Sequence, residues 1–166
     1  LCRHWKGRIR LNYEDCMSIE WRHTAPFTIN MVVCKEDIDE LGHANNAAYV
    51  RWLERCAWQH SEALGLSLAD YRRLDRAMVV LRHEIDYLAA SYLGDRLIVA
   101  TWIVQSDGKL RLTRQFQICR LSDGATLLRA QSTFVCMALS SGKPKRMPPE
   151  FLSGYGQAII RGQAVS

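Results

Sequence analysis

The sequence predicts an α+β domain in which a curved antiparallel sheet wraps one long helix. Three features carry that expectation: one apolar stripe at helical spacing after Asn46, a run of alternating segments beyond it, and two Asp-Gly dipeptides between the last of those segments. The first strand is expected over 26–35, where Phe27, Thr28, Ile29, Asn30, Met31, Val32 and Val33 follow one another. Residues 36–45 are too polar and glycine-punctuated to continue it and are read as a functional loop. From Asn46 the period changes: Tyr49, Trp52, Leu53, Cys56, Ala57, His60 and Leu64 recur every three or four residues, as on one helix face. Asn45 can accept from the first-turn amides and Gly65 can take a left-handed C-terminal position, so both ends carry stop signals.

A short polar connection follows. Val79, Leu81, His83, Ile85 and Tyr87 then alternate with Val80, Arg82, Glu84 and Asp86, the pattern of a strand with one wet face. Strands over 96–104, 110–120 and 127–139 are separated by Asp107-Gly108 and Asp123-Gly124, which supply the positive φ angles of hairpin turns and predict an antiparallel meander. A sheet and a single helix must bury their apolar faces on each other. Pro144 and Pro148-Pro149 lie past the last strand pattern and mark a C-terminal tail. The chain therefore divides into an N-terminal extension (1–25), the folded domain (26–140) and the tail (141–166).

With 166 residues, 48% of them apolar, the chain can fill one sizeable core. It has no apolar run of membrane-spanning length, and its first twenty-five residues, with Arg3, Lys6, Arg8 and Arg10, lack an apolar secretory stretch. Met17 is the first residue that can start a natural chain, and residues 1–16 are read as upstream or added sequence. The six cysteines (Cys2, Cys16, Cys34, Cys56, Cys119, Cys136) show no paired C-x-x-C spacing, which favours reduced, packed thiols and a cytoplasmic protein. A formal charge of +5 and a pI near 9.0 suit an anionic ligand. The basic residues are dispersed rather than gathered in a stripe, which argues against nucleic acid, and the Lys143-Pro144-Lys145-Arg146 cluster reads as a solvated loop.

Chemistry concentrates between Glu36 and Tyr49. A carboxylate, an imidazole and unpaired helix amides converge within that stretch. Hydrolysis at a carbonyl carbon needs a group that attacks the carbonyl or activates water, and donors aimed at the oxygen where charge develops. Asp39 can supply the first and the first-turn N–H groups from Asn46 the second, with the positive end of the helix dipole behind them. Gly42 permits a sharp turn and a close approach. Capping explains Asn45 and the acidic residues as well, but not His43 or the second aspartate.

Asp37-Ile38-Asp39 followed by Gly42-His43, Asn45-Asn46, Tyr49 and Trp52-Leu53-Glu54 resembles the signature of the 4-hydroxybenzoyl-CoA thioesterase-like hotdog family. It is also similar to the D-x-D-x-N-x-H-x-N-N stretch of plant acyl-acyl-carrier-protein thioesterases, with Leu41 in place of their intervening asparagine. Asp86-Tyr87-Leu88 with Tyr92-Leu93-Gly94-Asp95 looks like a second piece of the family pattern, and the likeness covers 26–140. The resemblance implies a hotdog fold and an acyl-CoA thioesterase of lipid metabolism without metal or other cofactor. Asp39 takes the position of the catalytic base or nucleophile, the Asn46 amide that of the carbonyl-oxygen donor, and His43 positions water or substrate; Gly42, Asn45 and Tyr49 surround the substrate. It further implies a homodimer or homotetramer with the channel at the subunit interface, and CoA phosphates against exposed Arg or Lys, the Lys143 to Arg146 cluster among the candidates.

Elsewhere the expectations are structural. His60 and His83 read as hydrogen-bonded core positions, Trp52 and Cys56 as packing, and Trp58, off the stripe, as surface or subunit contact. Fold likeness also admits an acyl-carrier-protein thioesterase, an acyl-CoA-binding protein without turnover, and an enoyl hydratase.

Overall fold

The computed structural model describes residues 19–160. Met17, Cys2, Cys16 and the basic residues of the first ten positions lie outside them. Five strands, β1 (Phe27–Val32), β2 (Ala77–Tyr87), β3 (Arg96–Ser106), β4 (Arg111–Arg120) and β5 (Thr126–Met137), form one antiparallel sheet in the order β1-β3-β4-β5-β2. The Asp-Gly turns behave as expected, with Gly108 at φ 64° and Gly124 at φ 69° joining β3, β4 and β5 into the meander. The long helix α1 (Asn46–Ala63) starts at the Asn45 cap, and Gly65 at φ 79° reverses the chain beyond its end.

The stripe read from the sequence is the buried face of α1. Ala48, Tyr49, Trp52, Leu53, Cys56 and Ala57 pack against Ile29, Leu97, Val99, Phe116, Ile118 and Leu128 of the sheet. Filling a concave sheet with one helix is how a domain of this size buries both apolar faces. His60 closes the stripe as expected: it is buried, stacked on Phe27 at 4.7 Å and hydrogen-bonded to Arg114.

Four expectations need correction. The connection after α1 contains a short helix, α2 (Leu68–Leu74), begun by a reciprocal Ser67–Asp70 capping box. The tail carries helix α3 (Pro149–Gln157), whose Phe151 and Tyr155 are buried in a second cluster with Leu66, Tyr71, Ile103, Leu112 and Cys136. Proline at the first turn of α3 starts a helix here rather than ending structure. Trp58 is half-buried against Tyr71, ring centres 5.1 Å apart, because α2 covers that side of α1. His83 is exposed, bonded through Nδ1 to Ser132 Oγ at 2.7 Å, because β2 is an edge strand with both faces largely open in the single chain.

Residues 19–25 cover the outer face of β3 and β4. Trp21 packs edge-on to Trp102, whose Nε1 donates to Thr24 O at 3.0 Å, and Gln117 bonds the backbone of Glu20 and Arg22. Cys56, Cys119 and Cys136 are buried free thiols and Cys34 is half-buried. No helix among the described residues is long and apolar enough to cross a membrane.

Candidate active site

The segment before α1 is a tight hairpin. Asn45 N donates to Asp37 O at 2.8 Å, Ile38 bridges Ala44, and Asp39 N donates to His43 O at 3.0 Å, while Gly42, at φ 81°, makes the reversal. A side chain at Gly42 would meet no neighbour, so backbone conformation rather than space calls for glycine there. The hairpin is tied to the fold by Ala44 N donating to Ser91 O at 2.9 Å. It holds Asp39 and His43 opposite each other, beside the start of α1.

The two aspartates do different work. Asp37 Oδ2 accepts from Cys34 N at 3.1 Å, closing the 3₁₀ turn Lys35–Asp37, and its Oδ1 pairs with Arg51 at 3.0 Å. Both its oxygens are engaged. Asp39 Oδ1 accepts from Leu41 N at 2.8 Å, whereas Oδ2 faces His43 Nδ1 at 3.6 Å, too far for a good hydrogen bond. The side chains of Asp39 and His43 are 23% and 36% exposed, and Asp39 lines a shallow recess with Ile38, Glu40, Leu41 and Asn45.

At the helix start, Asn45 Oδ1 accepts from Ala47 N at 2.8 Å, and Asn45 O accepts from Ala48 N at 2.8 Å. Among the described residues nothing accepts from the Asn46 amide, which stands at the positive end of the helix dipole. The hairpin thus brings Asp39, His43, Gly42, Asn45 and Asn46 together. Tyr49 does not join them: it is only 2% exposed, and its hydroxyl bonds Ser91 Oγ at 2.9 Å and accepts from Ser91 N at 3.0 Å. Its place on the inward stripe of α1 makes it a clamp for the segment that also holds Ala44. Tyr87, which the sequence placed on an alternating strand and in the family pattern but not at the site, stacks edge-on to Tyr49 at 5.6 Å and donates to Asn46 O at 3.3 Å.

Other nucleophilic and ligating groups stand apart. Burial pushes the Cys56 thiol up to about 12, so it stays protonated and inert. Among the described residues no three His, Cys, Asp or Glu side chains gather as a metal-ligand set. The Lys143 to Arg146 segment is an exposed loop.

The family described as the thioesterase-like superfamily matches residues 33–154. The chain is 29% identical over 131 residues to the 1,4-dihydroxy-2-naphthoyl-CoA hydrolase of Synechocystis sp., covering 74% of this chain and 88% of that protein. It is 29% identical over 125 residues to the long-chain acyl-CoA thioesterase FadM of Escherichia coli, covering 74% and 91%. Among solved structures, the Synechocystis 1,4-dihydroxy-2-naphthoyl-CoA thioesterase superposes with a TM-score of 0.71 at 25% identity, covering 80% of this chain and 96% of that one. A Staphylococcus aureus protein determined in complex with CoA gives a TM-score of 0.75 at 22% identity, covering 84% and 89%.

The cap at Asn45 separates helix stability from chemistry. Asn45→Ala is expected to cost about 1 kcal/mol in urea unfolding, while Asn45→Asp, which can still accept from Ala47 N, stays within a few tenths of a kcal/mol of the parent. An alanine variant as stable as the parent contradicts the capping role.

Proposed function

This chain belongs to the thioesterase-like superfamily, and from that membership we propose that it is an acyl-CoA thioesterase whose reaction is run from the N-terminus of α1. The observation that carries the reading is the presence, within one short segment, of a carboxylate oxygen, Asp39 Oδ2, with no hydrogen bond inside 3.5 Å and a helix amide, Asn46 N, to which no acceptor among the described residues is bonded. A thioester carbonyl seated on the Asn46 amide is polarised toward the oxygen and held against the helix dipole. Asp39 Oδ2 then takes a proton from water as that water attacks the carbonyl carbon, or attacks the carbon itself. Either way the C–S bond breaks with its electron pair on sulfur, which takes up a proton to become CoA thiol; on the first route the acid forms directly, and on the second water then hydrolyses the acyl–Asp39 anhydride to the free acid and restores the carboxylate. His43, across the hairpin, orients the water or the substrate.

Asp39→Asn is nearly isosteric and keeps the acceptor for Leu41 N, so it should leave folding intact while lowering kcat about a hundredfold or more. Asp37→Asn keeps the turn acceptor but loses the charge that pairs with the exposed Arg51, and should cost much less in turnover. Steady-state thiol release from the purified variants checks both. Turnover by Asp39→Asn within threefold of the parent contradicts the assignment.

A second copy of this chain completes the reading. β2 is an eleven-residue edge strand on which Val79, Val80 and Leu81 are 38%, 46% and 56% exposed. A long apolar edge invites pairing, and pairing with the same edge of another copy is the symmetric way to cover it. A dimer, or a tetramer of two such dimers, would carry the Asp39 hairpin at or near the subunit boundary. Light scattering at micromolar concentration should give at least twice the 19.0 kDa of one chain. A stable, active monomer contradicts this part of the proposal.

A further inference from the structure

Arg114 stands at an inward position of β4, in the same parity as Leu112, Phe116 and Ile118, and only 2% of it is exposed. Its Nη1 donates to His60 Nδ1 at 2.8 Å and its Nη2 to Ser61 Oγ at 3.1 Å, and the guanidinium lies 5.6 Å from the centre of the Tyr155 ring. Ser61 Oγ also meets the Tyr155 hydroxyl at 3.0 Å, and that hydroxyl is hydrogen-bonded to Tyr71. Burial and the neighbouring guanidinium lower His60 to about 4, so its ring is neutral near pH 7 and can accept from Arg114. The partners are thus all neutral. Among the described residues no carboxylate lies within ion-pair distance of Arg114. Taking a charge out of water without an opposite charge is strongly unfavourable, and arginine does not escape by losing its proton.

The same side chain lines a cavity of about 410 Å³ between α1 and the sheet. Val50, Leu53, Phe116 and Phe134 give it apolar walls, while Arg114, Ser61, Tyr71 and Tyr155 gather its polar groups. Glu54 and His83, both exposed, also border it. At about 30 Å³ for each water-sized group, the space takes roughly a dozen non-hydrogen atoms. The cavity wall begins at Val50, about one helical turn from the Asn46 amide, and reaches Ser61, fifteen residues beyond Asn46 and so about 22 Å along the axis. Side chains leaning toward the helix N-terminus shorten that span.

Resting on the thioesterase reading above, we propose that Arg114 recognises a carboxylate at the distal end of the acyl group, so that CoA thioesters of medium-to-long dicarboxylic acids are preferred over those of plain fatty acids. The apolar walls hold the methylene chain. Its terminal carboxylate supplies the charge that Arg114 lacks, and the Tyr71 and Tyr155 hydroxyls stand within the same polar group. A plain alkyl end gives the guanidinium no counter-charge.

The test uses matched pairs of thioesters, from octanoyl-CoA to hexadecanoyl-CoA, each beside its ω-carboxy counterpart, with the corresponding non-hydrolysable S-alkyl-CoA and S-(ω-carboxyalkyl)-CoA thioethers for calorimetry. At the best-fitting length the parent should favour the carboxylated member at least tenfold in both kcat/KM and Kd. Arg114→Met should erase that ratio, and because the parent's own ratio already decides, a variant that fails to fold leaves the test intact. Equal or weaker binding of the carboxylated thioether at every length, or no binding of either series, overturns the inference. Hydrolysis of both series without discrimination overturns it while sustaining the thioesterase reading. Discrimination between the thioethers without hydrolysis of any thioester does the reverse.

Discussion

Tyr49, Trp52, Leu53 and Cys56 of α1 press into the concave side of the sheet against residues such as Leu97, Val99 and Ile118, and that contact fixes where the helix begins and what lies beneath it. Burying side chains of this size contributes about 1.5–3 kcal/mol each, so the helix cannot shift along the sheet without losing several of them. Everything at the site follows from that seat. The N-terminus is held beside the segment around Ser91, which ties down both the Tyr49 hydroxyl and the backbone of the Asp39 hairpin. The opposite end of the same buried face meets Arg114 through His60 and Ser61.

One helix therefore organises two electrostatic environments. At its exposed start, an amide unpaired among the described residues and a carboxylate seven residues before it suit a reaction that builds negative charge on oxygen. Toward its buried end, a guanidinium donates hydrogen bonds to His60 and Ser61 with no carboxylate at ion-pair distance among the described residues. The cavity wall runs from the second turn of α1 toward that guanidinium, which is the relation the proposal gives to a reacting end and a recognition end. Asp37 shows why a carboxylate in the same stretch is not equivalent: its oxygens are spent on the Cys34 amide and Arg51.

How much of this was legible in the sequence depended on whether a residue acts through local pattern or through distant neighbours. The stripe of α1, the Asn45 cap and the Asp-Gly turns are local, and the strands were readable from alternation and turn chemistry. Asp39, Gly42, His43, Asn45 and Asn46 were also visible together, because they fall within eight consecutive residues. Tyr49, read with the site, lies buried and bonded to Ser91, because the stripe that buries it runs through the same motif. α2 escaped notice because its seven residues are too few for periodicity to show, and α3 because prolines were taken as a stop rather than a first turn. The exposure of His83 follows from β2 lying at the sheet edge, a matter of strand order that alternation does not encode. Arg114 did leave a signal, a charge at an apolar parity of its strand. Its meaning needed Ser61 and Tyr155, fifty-three and forty-one residues away in sequence.

The central claim is that this fold turns over acyl-CoA thioesters rather than only holding them. Free-thiol release by the purified protein across short, medium, long, aromatic and ω-carboxy acyl-CoAs tests it most directly, because reaction and acyl preference are read together. The account predicts release of one CoA thiol per acid formed, well above the uncatalysed rate for at least one acyl class. Tight binding of a CoA thioether with no thiol release from any thioester would contradict it and leave a binding protein in its place.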